Sequence, residues 1–437
     1  MSHPKLEDAV KTLRQQYGAR NPNSLRAFED AKRSLPGGGT RSSIFIQPFP
    51  LVIASGHGTC LKDLDGHEYR DFVSDFTSGL YGKTNAILRD AIVGAIDNGM
   101  QLGGHTPAEG RLASLICDRF PAMDLVRFAN SGTEANMIAI CTAMRYTRRT
   151  KIVVFQGGYH GSLLSHFHVE DSHAHAGPPT PTALTAPFDF VVCPYNDLEQ
   201  AREKILRSAG DVAAILVEPM LGAGGCIPGE PAFLRGLREL ATEVGALLIF
   251  DEVQTARLDM GGRQKLLDIE PDLTTLGKFF GGGFAFGAFG GKREVMKMFD
   301  MTQPGAISHG GTFNNSPCTM VAGVTALEQL VTESALTTLN ALGDAMREYL
   351  NHGFSAHSLP FIVTGLGSLN QLHCTLPTPS ALAGLDYVFF RLLEEGWWIA
   401  QRGLISLNMA MTRDEVEGFG RAVLDAAKGV GKLLSED

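Results

Sequence analysis

The sequence predicts an α/β protein with a mainly parallel sheet in its middle and a smaller α+β part built from its two ends. Three observations carry this. From about Leu125 to Gly290, apolar runs of four to six residues (LVRFA, KIVVF, DFVVC, AAILVE, ALLIFDE and LTTLGK) alternate with helical patterns, the rhythm of βαβ units. These runs are predominantly apolar, without an alternating polar face, as in strands buried on both faces. Several end in a polar or glycine-rich turn, and ligands of such sheets bind at the carboxyl ends of the strands.

Taken in order, the chain opens with an amphipathic helical segment and the turn Pro36-Gly37-Gly38-Gly39. A small sheet is expected in LVIASGHGTCLKDLDGHEYRDF, where Asp63 to Gly66 fit a hairpin turn. The central βαβ stretch follows. After about Met320 come a long helical pattern, a strand-like segment near Phe361 to His373, another helix, the strand-like GLISLN and a final helix. The expected division is 1–75 as part of a small domain, 76–320 as the large domain and 321–437 as the rest of the small one. At 437 residues the chain exceeds the usual single core, which favours such a division.

A composition of 44% apolar and 19% charged residues is that of an ordinary globular protein. The net charge of −9 and the absence of a basic run argue against nucleic acid or an anionic membrane as partner and favour a small molecule. No apolar run reaches the roughly 18 to 20 residues that a spanning helix needs. The N-terminal segment lacks signal- or transit-peptide character, so a cytoplasmic location is expected. Seven scattered cysteines without a CxxC pair read as reduced small apolar residues. His166, His168, His173 and His175 form a dense patch, but no cysteine or spaced carboxylate set completes a metal site, and none is expected.

Chemistry is expected where the strands end. ALLIFDEV places Asp251 and Glu252 at the end of an apolar run, and LTTLGKFFGGG places Lys278 at the end of another, beside Asp251 on a neighbouring strand or turn. An ammonium among apolar residues and glycines costs several kcal/mol unless paired or neutralised. Schiff-base chemistry uses that lowered proton affinity. In LVRFANSGTEANMIAICTAM a strand leads through Ser131, Gly132 and Thr133 into a helix with apolar residues at Met137, Ile138, Cys141 and Met144. Such a start is a candidate phosphate site or simply a helix cap. KIVVF leads to Tyr159 and His160, and Tyr159 could stack on a flat ring. AAILVEPM ends at Glu218, a cofactor contact or a structural acid. A P-loop is excluded, since none of the Gly-Lys pairs at Lys83, Lys278, Lys292 and Lys432 has the required earlier glycine. No GxGxxG follows a strand in the setting a nicotinamide site needs.

The ordered set SGTEAN, GGYHG, VEP, IFDEVQT, TTLGK, GGG and HGGTFNN resembles the class III, fold-type I aminotransferases, which use pyridoxal 5'-phosphate. Within that class the chain is most similar to the glutamate-1-semialdehyde aminomutase branch. More narrowly, PGGGTRSSIFIQPFPL points to the β-phenylalanine type of β-amino-acid aminotransferase. The resemblance implies a seven-stranded, mainly parallel sheet flanked by helices in the large domain. It implies that Lys278 forms the Schiff base and moves the substrate proton, while Asp251 keeps the pyridine nitrogen protonated. Ser131, Gly132 and Thr133 then hold the phosphate, Tyr159 and Val253 cover the two ring faces, and Glu218 lies near the ring substituents. His160 and Gln254 complete the cofactor set, although Gln254 stands where close relatives often have methionine. Thr312 in GGTFNN is implied to reach a phosphate across a homodimer interface. Arg41 is implied to bind the donor carboxylate and Arg402 the keto-acid acceptor, with Ile44, Phe45 and Phe49 leaving room for an aromatic or aliphatic side chain. The reaction so implied moves an amino group from a β-amino acid to 2-oxoglutarate or pyruvate. An intramolecular aminomutase and a catalytically silent protein of the same fold are the alternatives.

Overall fold

The computed structural model describes residues 3–166 and 186–436. These form two compact units. One gathers the chain up to Thr84 with the chain from Leu339 onward, and the other runs from Asn85 to Thr338.

The Asn85–Thr338 unit is built on seven strands. Their spatial order is Leu125–Ala129, Gly287–Gly291, Leu273–Gly277, Leu247–Asp251, Val212–Val217, Lys151–Phe155 and Asp189–Cys193. Only Gly287–Gly291 runs antiparallel to its neighbours. The all-apolar runs form strands because helices cover both faces, and the pleat sends alternate side chains to opposite sides. Val153, Phe155, Leu248 and Phe250 join one buried cluster, with the helix Pro231–Val244 against it. Ile152, Val154, Leu247 and Ile249 join the other, against the helix Gly132–Thr147.

That second helix departs from its expected face. Its buried residues are Ala135, Asn136, Ala139, Ile140, Thr142 and Ala143, whereas Met137, Ile138 and Met144 are only partly buried and Cys141 is exposed. Small side chains let the helix axis come close to the sheet, and the larger apolar residues flank that contact.

The other unit is α+β. Ile53–His57, Cys60–Asp63 and Glu68–Asp71 form an antiparallel ribbon, and Trp397–Trp398 adds in parallel beside Glu68–Asp71. The Asp63 carboxylate organises the turn by accepting the backbone N–H of Asp65 and His67. A second sheet pairs Phe361–Leu366 with Leu369–Cys374 and then Leu404–Ser406. The helix Pro4–Arg20 packs on Ser380–Glu394, where Arg14 bonds to Asp386. The last helix, Arg413–Ser435, opens with a reciprocal cap between Thr412 and Glu415.

None of the seven cysteines is in a disulfide, and four of them are buried. His166 packs edge-on against Phe190, and burial pushes its imidazole down to about 4, which keeps it neutral near pH 7. His168, His173 and His175 lie outside the described residues. Among the described residues no helix is long and apolar enough to cross a membrane.

Candidate active site

Six of the seven strands point the same way, so their carboxyl ends share one edge, and the expected residues of this unit other than Thr312 gather along it. Asp251 is the last residue of Leu247–Asp251 and is 4% exposed. Its register partner on Leu273–Gly277 is Thr275, three residues before Lys278. Four groups interlock here. Asp251 Oδ2 accepts from Asn136 Nδ2 at 2.8 Å and lies 2.7 Å from His160 Nδ1. The same Asn136 amide accepts the Thr275 hydroxyl at 2.6 Å and donates to the His160 carbonyl at 3.2 Å. Asp251 Oδ1 accepts the Val253 N–H. A buried acceptor left without such donors costs about 1–3 kcal/mol, so the acid is fixed in place by its neighbours.

Lys278 follows directly on its strand, with φ 56°, and opens a short 3-10 turn. Ser131 caps the helix Gly132–Thr147 by accepting the Glu134 N–H at 3.1 Å. The first turn of that helix is tightly packed. A side chain at Gly132 would meet Val253 Cγ2 at 2.9 Å, and one at Gly161, with φ 118°, would meet Thr133 Oγ1 at 2.1 Å. Glycine at 132 thus lets Val253 lie against the helix start, and glycine at 161 lets Thr133 lie against the loop of His160. Gln254 is pressed against Gly222 in the same manner.

Glu218 closes the edge. It is 3% exposed, and its two oxygens accept the backbone N–H of Tyr159 and of Gly222, each at 2.9 Å. Burial pushes its carboxyl up to about 7, helped by the nearby Asp251 and opposed by His160. Tyr159 itself is 38% exposed. Glu252, next to Asp251, faces away from this chemistry: fully buried, it accepts the N–H of Arg263 and Gln264 and caps the helix Gly262–Leu267. Thr312 lies exposed in the loop before the helix Pro317–Gln329.

The class-III aminotransferase model matches residues 45–415. The chain belongs to the class-III aminotransferase family. This aminotransferase is 44% identical to the β-phenylalanine transaminase of Variovorax paradoxus over 99% of both chains. It superposes on a solved β-phenylalanine aminotransferase of that organism with a TM-score of 0.92, at 43% identity over 98% of this chain and 99% of that one. It is also 38% identical to a glutamate-1-semialdehyde 2,1-aminomutase of Methanosarcina acetivorans, over 80% of this chain and 83% of that protein. A solved transaminase with pyridoxal phosphate bound matches with a TM-score of 0.86, at 31% identity over 95% of this chain and 99% of that one.

The aminotransferase is thus a pyridoxal-phosphate-dependent transaminase with the fold-type I architecture. The groups on its sheet edge fit that cofactor: a lysine amine for an aldehyde, a buried and fixed carboxylate for a ring nitrogen, and a capped helix start with hydroxyls for a phosphate.

Sequence reasoning brought Ser131 to Thr133, Tyr159, His160, Glu218, Asp251, Val253, Gln254 and Lys278 to this edge, but passed over Asn136. Its signal was available, since an asparagine on the buried face of a helix, among alanines, is disfavoured unless its amide has work to do. In the other unit of the aminotransferase, Arg41 is half exposed and bonds to Asp75 at 2.7 Å. The backbone of Arg402 is held through its carbonyl by Gln371. Phe49 belongs to the core, 3% exposed against Tyr17, while Ile44 is exposed.

Proposed function

We propose that this aminotransferase takes the amino group of a β-amino acid bearing an aromatic or aliphatic side chain and passes it to a keto acid such as 2-oxoglutarate or pyruvate. One observation carries the chemistry: Lys278 follows the strand paired with that of Asp251, whose carboxylate is fixed by Asn136 and His160. The donor class rests on the likeness to β-phenylalanine transaminase.

When bound, pyridoxal phosphate supplies an aldehyde that condenses with amines and a ring that accepts the electron pair left by a departing proton. Lys278 would supply the amine that holds the cofactor's aldehyde and the base that moves the proton at the donor carbon. Asp251, held by Asn136, His160 and the Val253 N–H, would keep the ring nitrogen protonated. Ser131, Gly132 and Thr133 would hold the phosphate at the helix start, joined by Thr312 of the partner subunit in a homodimer. Tyr159 would cover one ring face and Val253 the other, with His160, Gln254 and Glu218 around them. Arg41 receives the donor carboxylate and Arg402 that of the acceptor, each able to make paired bonds. Both substrates are small and anionic at one end, and the protein works in the cytoplasm.

Incubating the loaded enzyme with β-phenylalanine, with and without 2-oxoglutarate or pyruvate, tests this. Consumption of the donor that requires the keto acid is expected. Turnover that ignores the acceptor would show an internal amino shift, and no turnover across a panel of β-amino acids would end the donor assignment.

A further inference from the structure

The two arginines share one ring. The guanidinium of Arg41 lies 5.4 Å from the centre of the Phe76 ring and that of Arg402 lies 5.8 Å from it, within the range of cation–π attraction. The residue before Phe76 is Asp75, whose Oδ1 bonds to Arg41 Nη1 at 2.7 Å. One short segment therefore presents both a platform for two cations and an anion for one of them.

That segment is held in an unusual shape. Ser74, Asp75, Phe76 and Thr77 have φ values of 47°, 46°, 51° and 78°, four successive non-glycine residues in the left-handed region. Each such residue carries a conformational cost and persists only where its surroundings dictate it. Here they do. Ser74 and Thr77 are buried, the Ser74 hydroxyl donates to the Ser406 carbonyl at 2.8 Å, and Asn408 donates to that hydroxyl at 3.0 Å. The Ser74 N–H is taken by Asp71, and the Gly79 N–H returns to the Ser74 carbonyl. The anchoring strand Leu404–Ser406 begins two residues after Arg402, so the turn and the Arg402 loop are tied together.

The Asp75–Arg41 pair is the exposed part of this assembly, with both side chains about half open to solvent. Exposed ion pairs contribute little net stability, because solvation competes with them. An incoming carboxylate can replace Asp75 on Arg41 at small cost, whereas a donor without a carboxylate leaves the pair intact. We propose that Asp75 is an internal counter-ion competing with the donor carboxylate for Arg41, and that Phe76 is a positioning residue that sets the spacing of Arg41 and Arg402. This rests on the assignment of Arg41 to the donor carboxylate.

The test uses the cofactor-loaded enzyme with β-phenylalanine and, as a donor lacking the carboxylate, 1-phenylethylamine. In Asp75→Asn the ratio of KM for β-phenylalanine to KM for the amine is expected to fall about three- to fivefold, the size set by an exposed ion pair. The same change made in an Arg41→Ala background is expected to leave the ratio where Arg41→Ala alone puts it. Phe76→Leu is expected to raise KM for both β-phenylalanine and the keto acid with a smaller change in kcat, and Phe76→Tyr to restore both. An unchanged or raised ratio in Asp75→Asn overturns the counter-ion role while Arg41→Ala still penalises the carboxylated donor selectively. If Arg41→Ala affects both donors equally, the assignment of Arg41 fails and the proposal falls with it.

Discussion

At the edge of the large sheet, the Glu218 carboxyl titrates near neutrality although it accepts two backbone N–H bonds, because burial outweighs them. Its ordinary value is 4.5 and its value in the fold is about 7, so between these pH values the folded chain keeps a proton that the unfolded chain has lost. The stability it lends is complete below pH 4.5 and declines as pH rises through 7. In urea unfolding, the stability of the native chain relative to Glu218→Gln should therefore fall from pH 4.5 to 7.5, by at most about 3 kcal/mol on the scale of one pKa unit per 1.4 kcal/mol. A difference that grows with pH would contradict this. Asn136 shows the limit of reading single residues from sequence. SGTEAN marks a helix start, but the distant partners Asp251 and Thr275 appear only when three elements meet.

At the scale of elements, the start of the helix Gly132–Thr147 depends on the loop that carries His160. Gly161→Ala forces a methyl onto Thr133 and a side chain into a left-handed backbone, and should cost about 1–3 kcal/mol and loosen cofactor retention. Gly210→Ala, where the added methyl meets nothing within 4 Å, is the control. Equal urea midpoints and equal cofactor retention in the two variants would contradict the role of that contact. Six of the seven strands of the large sheet were legible, because uninterrupted runs such as AAILV and ALLIF have no amphipathic reading; the glycine-rich antiparallel strand Gly287–Gly291 was not. The buried face of Gly132–Thr147 was not, since Ala135, Ala139 and Ala143 are chosen for closeness to the sheet and carry little hydrophobic signal. The turn at Ser74 to Thr77 left no local trace either: its shape comes from Ser406, Asn408 and Asp71, two of them more than three hundred residues away in sequence.

For the whole molecule, the proposed sharing of Thr312 between subunits makes a definite demand on mixed dimers. Lys278→Ala subunits lack the amine and Thr312→Ala subunits lack a phosphate ligand for the partner. A dimer of one of each regains one site with both groups intact. Mixing the two inactive or weakened proteins under conditions that allow exchange should restore up to half the native activity per mixed dimer, and no recovery in verified mixed dimers would place Thr312 outside the shared site. All of this depends on Lys278 being the residue that joins the cofactor. Borohydride reduction of the loaded protein followed by peptide mass spectrometry measures that directly. The expected result is a single phosphopyridoxyl group on the peptide containing Lys278, absent from Lys278→Ala, which has lost turnover; a label on another lysine, or normal turnover in that variant, would contradict it.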